Sequence, residues 1–203
     1  MHSAPELQLV SAAIALWQTF DRSAKADLFS TAISAPDATA LIDPISLSPD
    51  GMASLQTRPP VRAIVITNQN HWRASAELAI QLSVPIFANR SAELPDGSQF
   101  TAVEDGESVA GILEVITIEG GAPGEIVLFS EQEGGTLVIG DALINFEPYG
   151  FTFLPAKYCS DHRKMKKSLR RLIPLNFDRM FFAHGLPILT GAKARLGDLL
   201  DEP

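Results

Sequence analysis

The sequence predicts a single α/β domain. Short apolar runs rich in β-branched residues are typical of buried strands, and they alternate with segments whose apolar residues recur three and four positions apart, as in amphipathic helices. The chain has 203 residues, of which 46% are hydrophobic and 20% charged. This length and composition are enough for one full hydrophobic core. We therefore expect residues 1–203 to form one globular domain.

The clearest unit is a strand, a polar turn and a helix over residues 61–82. Val61–Ile66 is a short apolar run, as expected of a strand that is covered on both faces. Residues 67–72 are polar and interrupt it. A helical stripe of small or apolar residues follows at Ser75, Leu78, Ala79 and Leu82. A turn of this kind commonly presents side chains to a ligand at the end of a sheet.

Three strands are predicted before this unit, at residues 14–20, 28–33 and 38–44. The polar segment 21–27 is a turn, and the third strand ends at Pro44, which has no N–H to donate to a sheet. Residues 46–60 contain three prolines and a glycine. We expect a loop there, with one helical turn at most.

Strands and two helices are predicted after the unit. The strands fall at residues 84–88, 107–118 (as one or two strands), 124–130, 136–143 and 179–183. Asp161 or Ser160 is a suitable N-cap for a helix that runs to about residue 173, and residues 190–200 form the last helix. Residues 144–159 are expected to be an irregular, aromatic-rich loop.

The unit at residues 61–82 resembles the signature region of the metallo-β-lactamase superfamily. In that family a strand ending in Thr is followed by His-x-His-x-Asp-His and a helix. Asn68 and Asn70 occupy the positions of the two first-metal histidines, and Trp72 and Arg73 those of the aspartate and histidine of the second metal. The resemblance implies that these four residues line a pocket and that all four metal ligands are missing.

Three later positions extend the resemblance over residues 14–200. Gly121 stands where the family has the histidine of Pro-Gly-His-Thr-Pro-Gly, so a fifth ligand is missing from the same pocket. Gly140-Asp141 is similar to the Gly-Asp whose carboxylate bridges the two metals, and His184 is similar to the terminal histidine of the second metal. The resemblance implies an αββα sandwich, in which two mixed sheets pack together with helices outside.

The surviving ligand positions predict weak metal binding. A catalytic zinc needs about three protein ligands, whereas only Asp141 and His184 match the family. We therefore expect no tightly bound cofactor. The alternative is one zinc, iron or manganese ion, held if a one-residue slip brings His71 beside Asp141 and His184. His162 is a more distant candidate.

Arg73 suggests a second way to compensate for missing metal. A guanidinium can make a two-pronged hydrogen bond to a carboxylate and supply positive charge. We hypothesise that Arg73 pairs with Asp141 and fills the second-metal site. The alternative is that Arg73 points to solvent.

Three functions stay open at this point. The first is a degenerate binding or interaction module that keeps the fold but holds no tight dinuclear zinc site. The second is a metal-dependent hydrolase of a small ester or thioester, with a rearranged site around Asp141 and His184. The third is metal-independent chemistry in which His184 is the catalytic acid or base and Asp141 orients it.

Composition excludes other classes of function. The net charge of −8 and the pI near 4.9 argue against nucleic-acid binding. A small-molecule ligand is compatible with the predicted pocket. No apolar run is long enough to span a membrane, and the N-terminus lacks a signal peptide pattern. Cys159 is the only cysteine, which excludes an intrachain disulfide and fits a cytoplasmic location. A homodimer is expected only from its general frequency among proteins.

Overall fold

The computed structural model describes residues 6–22 and 25–202, which form two sheets with helices outside. The strands are β1 (Gln8–Leu9), β2 (Ile14–Asp21), β3 (Ala26–Ala35), β4 (Ala38–Ile42), β5 (Val61–Ile66), β6 (Ile86–Asn89), β7 (Thr101–Val103), β8 (Ser108–Val109), β9 (Leu113–Thr117), β10 (Ile126–Ser130), β11 (Thr136–Ile139), β12 (Leu143–Phe146), β13 (Gly150–Phe153) and β14 (Arg179–Phe182). The α-helices are α1 (Pro49–Gln56), α2 (Ser75–Leu82), α3 (His162–Leu169) and α4 (Ala192–Asp201).

The two main sheets are both mixed. The first has seven strands in the order β1 to β7, antiparallel as far as β4 and parallel from β4 to β7. The second has the order β14-β11-β10-β9-β8, in which only β11 and β14 run parallel. Strands β12 and β13 form a separate hairpin.

Three buried apolar clusters hold these layers together. The central cluster lies between the sheets and joins residues such as Ile33 and Val65 of the first sheet to Leu128 and Phe181 of the second. The second sheet packs its outer face against α3 and α4, and the first packs its outer face against α1 and α2. Each sheet is therefore covered on both faces, and the predicted αββα sandwich is confirmed.

Polar residues follow the carboxyl ends of two parallel strand pairs. Asp43 follows β4 and Thr67 follows β5, while Asp141 and His184 lie just beyond β11 and β14. Parallel strands bring their carboxyl ends to the same edge of a sheet, where ligands commonly bind. Packing the two sheets face to face brings these two edges together, as the hydrogen bonds described below demonstrate.

Two element boundaries differ from the sequence prediction at this edge. Strand β11 ends at Ile139 rather than at residue 143, because Asp141 N and Ala142 N donate to the Glu125 side chain instead of to a neighbouring strand. Residues 144–159 are less irregular than expected. They contain most of the β12–β13 hairpin, which reverses just before Gly150 at φ 65°.

Other boundaries also differ. Residues 46–60 contain the two-turn helix α1, because Ser48 caps its N-terminus and Pro49 occupies a first-turn position that needs no N–H donor. The helix predicted to reach residue 173 ends as α3 at Leu169 and continues as a 3-10 turn over Arg170–Leu172. The short edge strands β1 and β7 were not predicted from the sequence.

The turn predicted at residues 21–27 includes positions 23 and 24, which lie outside the described residues. The expected absence of a signal peptide concerns an N-terminus whose first five residues also lie outside them. Within the described ranges, no helix has both the length and the apolar character needed to cross a membrane.

Candidate functional site

His71 is held rigidly at the edge where the two sheets meet. It ends a 3-10 turn over Gln69–His71 and is only 2% exposed. Its Nδ1 lies 2.8 Å from Thr67 Oγ1 and 3.0 Å from Asp43 Oδ2. Thr67 Oγ1 donates its only proton to Asp43 Oδ2 at 2.5 Å. Nδ1 of His71 must therefore be the donor, which leaves Nε2 of the neutral ring with a free lone pair.

His184 is oriented in the same way. Its Nδ1 lies 3.1 Å from the backbone oxygen of Asp27, which can only accept, so Nδ1 carries the proton and Nε2 is again a free acceptor. Both imidazole rings thus present an Nε2 lone pair. A hydrogen bond from the other ring nitrogen to a carboxylate or carbonyl is the usual arrangement of histidines that bind metal.

Three acceptor atoms converge between these rings. Asp141 Oδ1 lies 3.2 Å from His71 Nε2 and 3.5 Å from His184 Nε2. Nε2 of His71 is buried without a hydrogen bond despite this short distance. The three ligand atoms lie within 4.8 Å of one another. Converging lone pairs repel unless a cation lies among them, and the cation here is either a proton on His71 or a metal ion.

The electrostatics of the site agree with this geometry. Burial opposes a charge on His71, but the carboxylates of Asp141 and Asp43 outweigh it and raise the pKa of His71 to about 9. Burial lowers the pKa of His184 to about 4, and the charges of His71 and Arg73 add to this effect. Burial alone would raise the pKa of Asp141, but the two histidines lower it below its ordinary value. At neutral pH the site therefore holds an ionised Asp141, a protonated His71 and a neutral His184.

The second oxygen of Asp141 is occupied by amide donors. Asn68 Nδ2 donates to Asp141 Oδ2 at 3.1 Å, and Asn70 Nδ2 donates to the same oxygen at 3.4 Å. Asn68 Nδ2 also donates to Glu125 Oε2 at 2.9 Å. The amide N–H groups, not the amide oxygen, of Asn68 therefore face the carboxylates, so this side chain cannot bind a metal ion between them.

Glu125 is the main site residue that sequence reasoning missed. It lies just before β10, is 1% exposed, and accepts hydrogen bonds from Asp141 N at 2.8 Å and Ala142 N at 2.9 Å. Burial raises its pKa well above the ordinary carboxyl value, and the charge of Asp141 adds to this effect. The only feature of the sequence that could have identified Glu125 is its place as a lone acid directly before the apolar strand β10. Asp43, at the end of the strand predicted over residues 38–44, was not identified as a site residue either, and the structure places it 3.0 Å from His71 Nδ1.

Glycines make room for the Glu125 side chain. A Cβ on Gly121 would lie 2.9 Å from Glu125 Cγ, so the position where the family has a histidine borders Glu125 here. A Cβ on Gly140 would lie 2.7 Å from both Glu125 Oε1 and Thr67 Oγ1. The Gly140-Asp141 pair is thus explained by close packing against two site residues.

We expect Gly140→Ala to destabilise the protein by about 2 kcal/mol, because the added methyl group overpacks a rigid polar network. Urea unfolding of the metal-free protein measures this. Gly197→Ala is the control, since Gly197 lies in α4 with no atom within 4 Å of the new Cβ. That change should be neutral or stabilise by about 0.5 kcal/mol. Equal stabilities for the two variants would contradict the packing argument.

The predicted pairing of Arg73 with Asp141 is wrong. The Arg73 guanidinium donates to three backbone carbonyls, Phe29 O at 2.5 Å, Asp43 O at 2.9 Å and Ala183 O at 3.3 Å. Arg73 itself has a positive φ of 43°, and its side chain links Phe29 within β3 to the ends of β4 and β14. It is therefore a half-buried connector between the two sheets, whose charge acts on Asp141 only through space.

The other candidates lie apart from the His–Asp–His cluster. Trp72 is half-buried and lines a groove beside α2 with Ile80 and Phe100. The His162 ring packs edge-on against Phe153, with their centroids 6.1 Å apart. Of the sequence candidates, the structure brings together Asn68, Asn70, His71, Asp141 and His184.

The cluster opens into a cavity of about 480 Å³. Asp141 and His184 lie in its wall, whereas His71 is buried behind them. The remaining lining residues are mostly apolar or aromatic, with two lysines and one asparagine: Lys25, Ala26, Asn70, Ile144, Phe146, Tyr149, Leu154, Pro155, Lys157 and Tyr158. Of the three residues whose ligand atoms converge, Asp141 and His184 therefore border space that a small molecule can enter.

Comparisons with known proteins agree with the fold. A family model described as Metallo-beta-lactamase superfamily matches residues 8–202. A metallo-beta-lactamase from Pontibacter korlensis superposes with a TM-score of 0.69 at 17% identity, over 98% of this chain and 99% of that one. One from Erythrobacter litoralis superposes with a TM-score of 0.72 at 14% identity, over 97% and 96%. A metallo-beta-lactamase family protein from Thermus thermophilus has a TM-score of 0.68 at 18% identity, over 95% and 79%. Among curated proteins, none matches the chain.

Proposed function

The chain belongs to the metallo-β-lactamase superfamily, and from this premise we propose that it is a hydrolase of small esters or thioesters that uses a single metal ion held by His71, Asp141 and His184. The observation that carries the proposal is the convergence of His71 Nε2, His184 Nε2 and Asp141 Oδ1 within 4.8 Å of one another, where a proton on His71 or a metal ion must lie between them. Two imidazoles and one carboxylate, with an open side toward a cavity, are a donor set typical of catalytic zinc.

The surrounding residues support one ion rather than two. Only Oδ1 of Asp141 is free to bind metal, because Oδ2 accepts hydrogen bonds from Asn68 and Asn70. Asn68 stands at the position of the family's first histidine, and its amide N–H groups are directed at the carboxylates of Glu125 and Asp141. The Glu125 side chain fills the space beside Gly121. A second cation there would meet N–H donors, which repel it.

The chain's own residues orient the two histidines and shield the bound substrate from water. Asp43 and Thr67 fix the His71 ring so that Nε2 faces the site, and the Asp27 carbonyl does the same for His184. The apolar and aromatic cavity wall excludes water from the bound substrate. A divalent ion, when bound, would polarise the scissile carbonyl and lower the pKa of a coordinated water toward neutrality.

Asn70 is suited to contact the reacting group. It lines the cavity, and its bond to Asp141 is long at 3.4 Å, so its amide N–H can turn toward a substrate oxygen.

The metal-independent alternative has less support. Asp141 faces Nε2 of His184, whereas a carboxylate that orients a catalytic histidine binds the nitrogen opposite the one that transfers the proton, here Nδ1. Nδ1 bonds to a backbone carbonyl instead. His184 and Asp141 are therefore better arranged as two ligands than as a base and its orienting group.

The direct test is metal analysis of protein purified without chelator, together with hydrolysis of 4-nitrophenyl acetate and a simple thioester. We expect about one zinc, iron or manganese ion per chain and turnover that is lost on dialysis against chelator and restored by metal. Metal-free protein that binds no added zinc and hydrolyses nothing would favour a degenerate binding module. Metal-free turnover that is lost in His184→Ala would favour the acid–base function.

Metal affinity should rise with pH. The pKa of His71 is raised to about 9, so a proton occupies Nε2 at neutral pH and must leave when metal binds. The pKa of His184 is lowered to about 4, and Asp141 is already ionised, so neither adds a proton in this range. We expect the apparent zinc Kd, measured by chelator competition, to fall about tenfold between about pH 6.5 and 7.5. An affinity that is independent of pH over this range would contradict the assignment of His71 as a ligand.

A further inference from the structure

We propose that the cavity at the metal site selects small apolar molecules that carry a negative charge, which Lys25 and Lys157 bind at the cavity wall. This inference rests on the proposed function, because it names the substrate class of the same site. It is carried by the charges and the apolar surface of the cavity.

The charges of the cavity wall are mainly positive. The lining includes two lysines and a single acid, Asp141, whose oxygens face His71, His184 and two amides. Within residues 6–22 and 25–202, neither lysine forms an ion pair. The whole protein has a net charge of −8, so a positive cavity wall contrasts with its overall charge. Such a contrast favours entry of anions over neutral or cationic molecules.

The rest of the wall suits an apolar body. Phe146 and Tyr149 pack edge to face with their ring centroids 5.6 Å apart, and Ile144 and Leu154 add aliphatic surface. The Lys157 ammonium lies 4.7 Å from the centroid of the Tyr158 ring, which directs the cation along an aromatic surface. A ligand with an aromatic or alkyl body and an anionic end matches this combination.

Lys25 lies in a hairpin that is attached to the metal site. Lys25 immediately precedes β3, and the backbone oxygen of Asp27 bonds to His184 Nδ1 at 3.1 Å. Phe29 N also donates to Ala183 O at 3.0 Å. The hairpin carrying one lysine is thus held next to a metal ligand, while the other lysine comes from the segment after β13.

Binding of a matched acid and amide tests the proposal without turnover. The probes are 3-phenylpropanoate and uncharged 3-phenylpropanamide, and binding to the metal-free and the zinc-loaded full chain is measured by ligand-observed NMR titration. We expect the acid to bind about tenfold more tightly than the amide in both forms. The Lys25→Gln/Lys157→Gln double variant should lose this preference while its affinity for the amide changes less than about twofold. Lys167→Gln is the control, since Lys167 is an exposed lysine of α3 outside the cavity wall.

Several results would overturn the proposal: equal binding of acid and amide, no binding of either, a preference that survives in the double variant, or an equal loss in the Lys167→Gln control. A preference seen only with zinc would also overturn it, because the anion would then bind the metal rather than the lysines. Failure of the proposed hydrolysis is separate. If the proposed hydrolysis fails, the protein will hold no metal or show no turnover. Binding of the acid and the amide to the metal-free protein requires neither metal nor turnover, so it still tests the role of the lysines.

Discussion

We expect His71→Ala to abolish tight metal binding and to reduce ester hydrolysis to the background rate. The substitution removes one of three ligands, and it also leaves Asp43 buried without its partner imidazole. Loss of a supporting group alone typically costs 10–100-fold in metal affinity, so loss of the ligand itself should cost at least about 100-fold. The measurements are the zinc Kd by chelator competition and kcat/KM for a 4-nitrophenyl ester.

His162→Ala is the matched control for this prediction. Of the three described histidines, His162 is the one outside the His–Asp–His cluster, and its ring packs on Phe153. We expect it to keep the wild-type zinc Kd and kcat/KM within about twofold, because surface changes away from a site usually have small effects. If His71→Ala kept stoichiometric metal, or if both variants lost metal equally, His71 would not be a ligand.

We expect Glu125→Ala to lower the free energy of unfolding by about 3 kcal/mol or more at about pH 5. The substitution removes the acceptor of two backbone N–H groups and of the Asn68 amide, all of them buried. Each unsatisfied buried donor costs about 1–3 kcal/mol, and the vacated space adds a cavity cost. Because Asp141 N is one of the donors, the metal affinity should fall as well. Chemical denaturation of the metal-free protein measures the stability.

The stability that Glu125 contributes depends on pH. The pKa of Glu125 is raised in the folded protein by burial and then by Asp141. The wild type therefore loses stability from this group as the pH rises above its unfolded pKa of about 4.5, until the folded carboxyl also ionises. The difference between Glu125→Ala and wild type should accordingly be smaller at about pH 8 than at about pH 5.

Glu114→Ala is the control for Glu125. Glu114 lies in β9 of the same sheet and is exposed. Its removal should change stability by less than about 0.5 kcal/mol. A Glu125→Ala variant as stable as Glu114→Ala at both pH values would show that the network around Asn68 and Asp141 does not depend on the buried carboxyl.

The sequence identified the elements that depend on local patterns. Val61–Ile66 is apolar apart from Arg62 and forms strand β5 with the predicted bounds, because its last four residues are buried and a strand covered on both faces needs no polar residue there. Asp161 caps α3 as predicted, through Lys164 N. The strand predicted through residue 143 was too long, because its last backbone donors bind Glu125, a side chain from another strand end. No local pattern contains that partner.

The sequence therefore predicted the sandwich fold, which the structure confirms, and pointed to Asp141 and His184 as candidate site residues. The tertiary structure decided that His71 joins them, that Arg73 binds carbonyls instead of Asp141, and that Glu125 fills the space beside Asn68. The physical reason is that hydropathy and turn residues act over a few positions. Hydrogen-bond donors and acceptors are instead matched across chain segments up to 157 residues apart (Asp27 O to His184 Nδ1), which meet only when the two sheets pack.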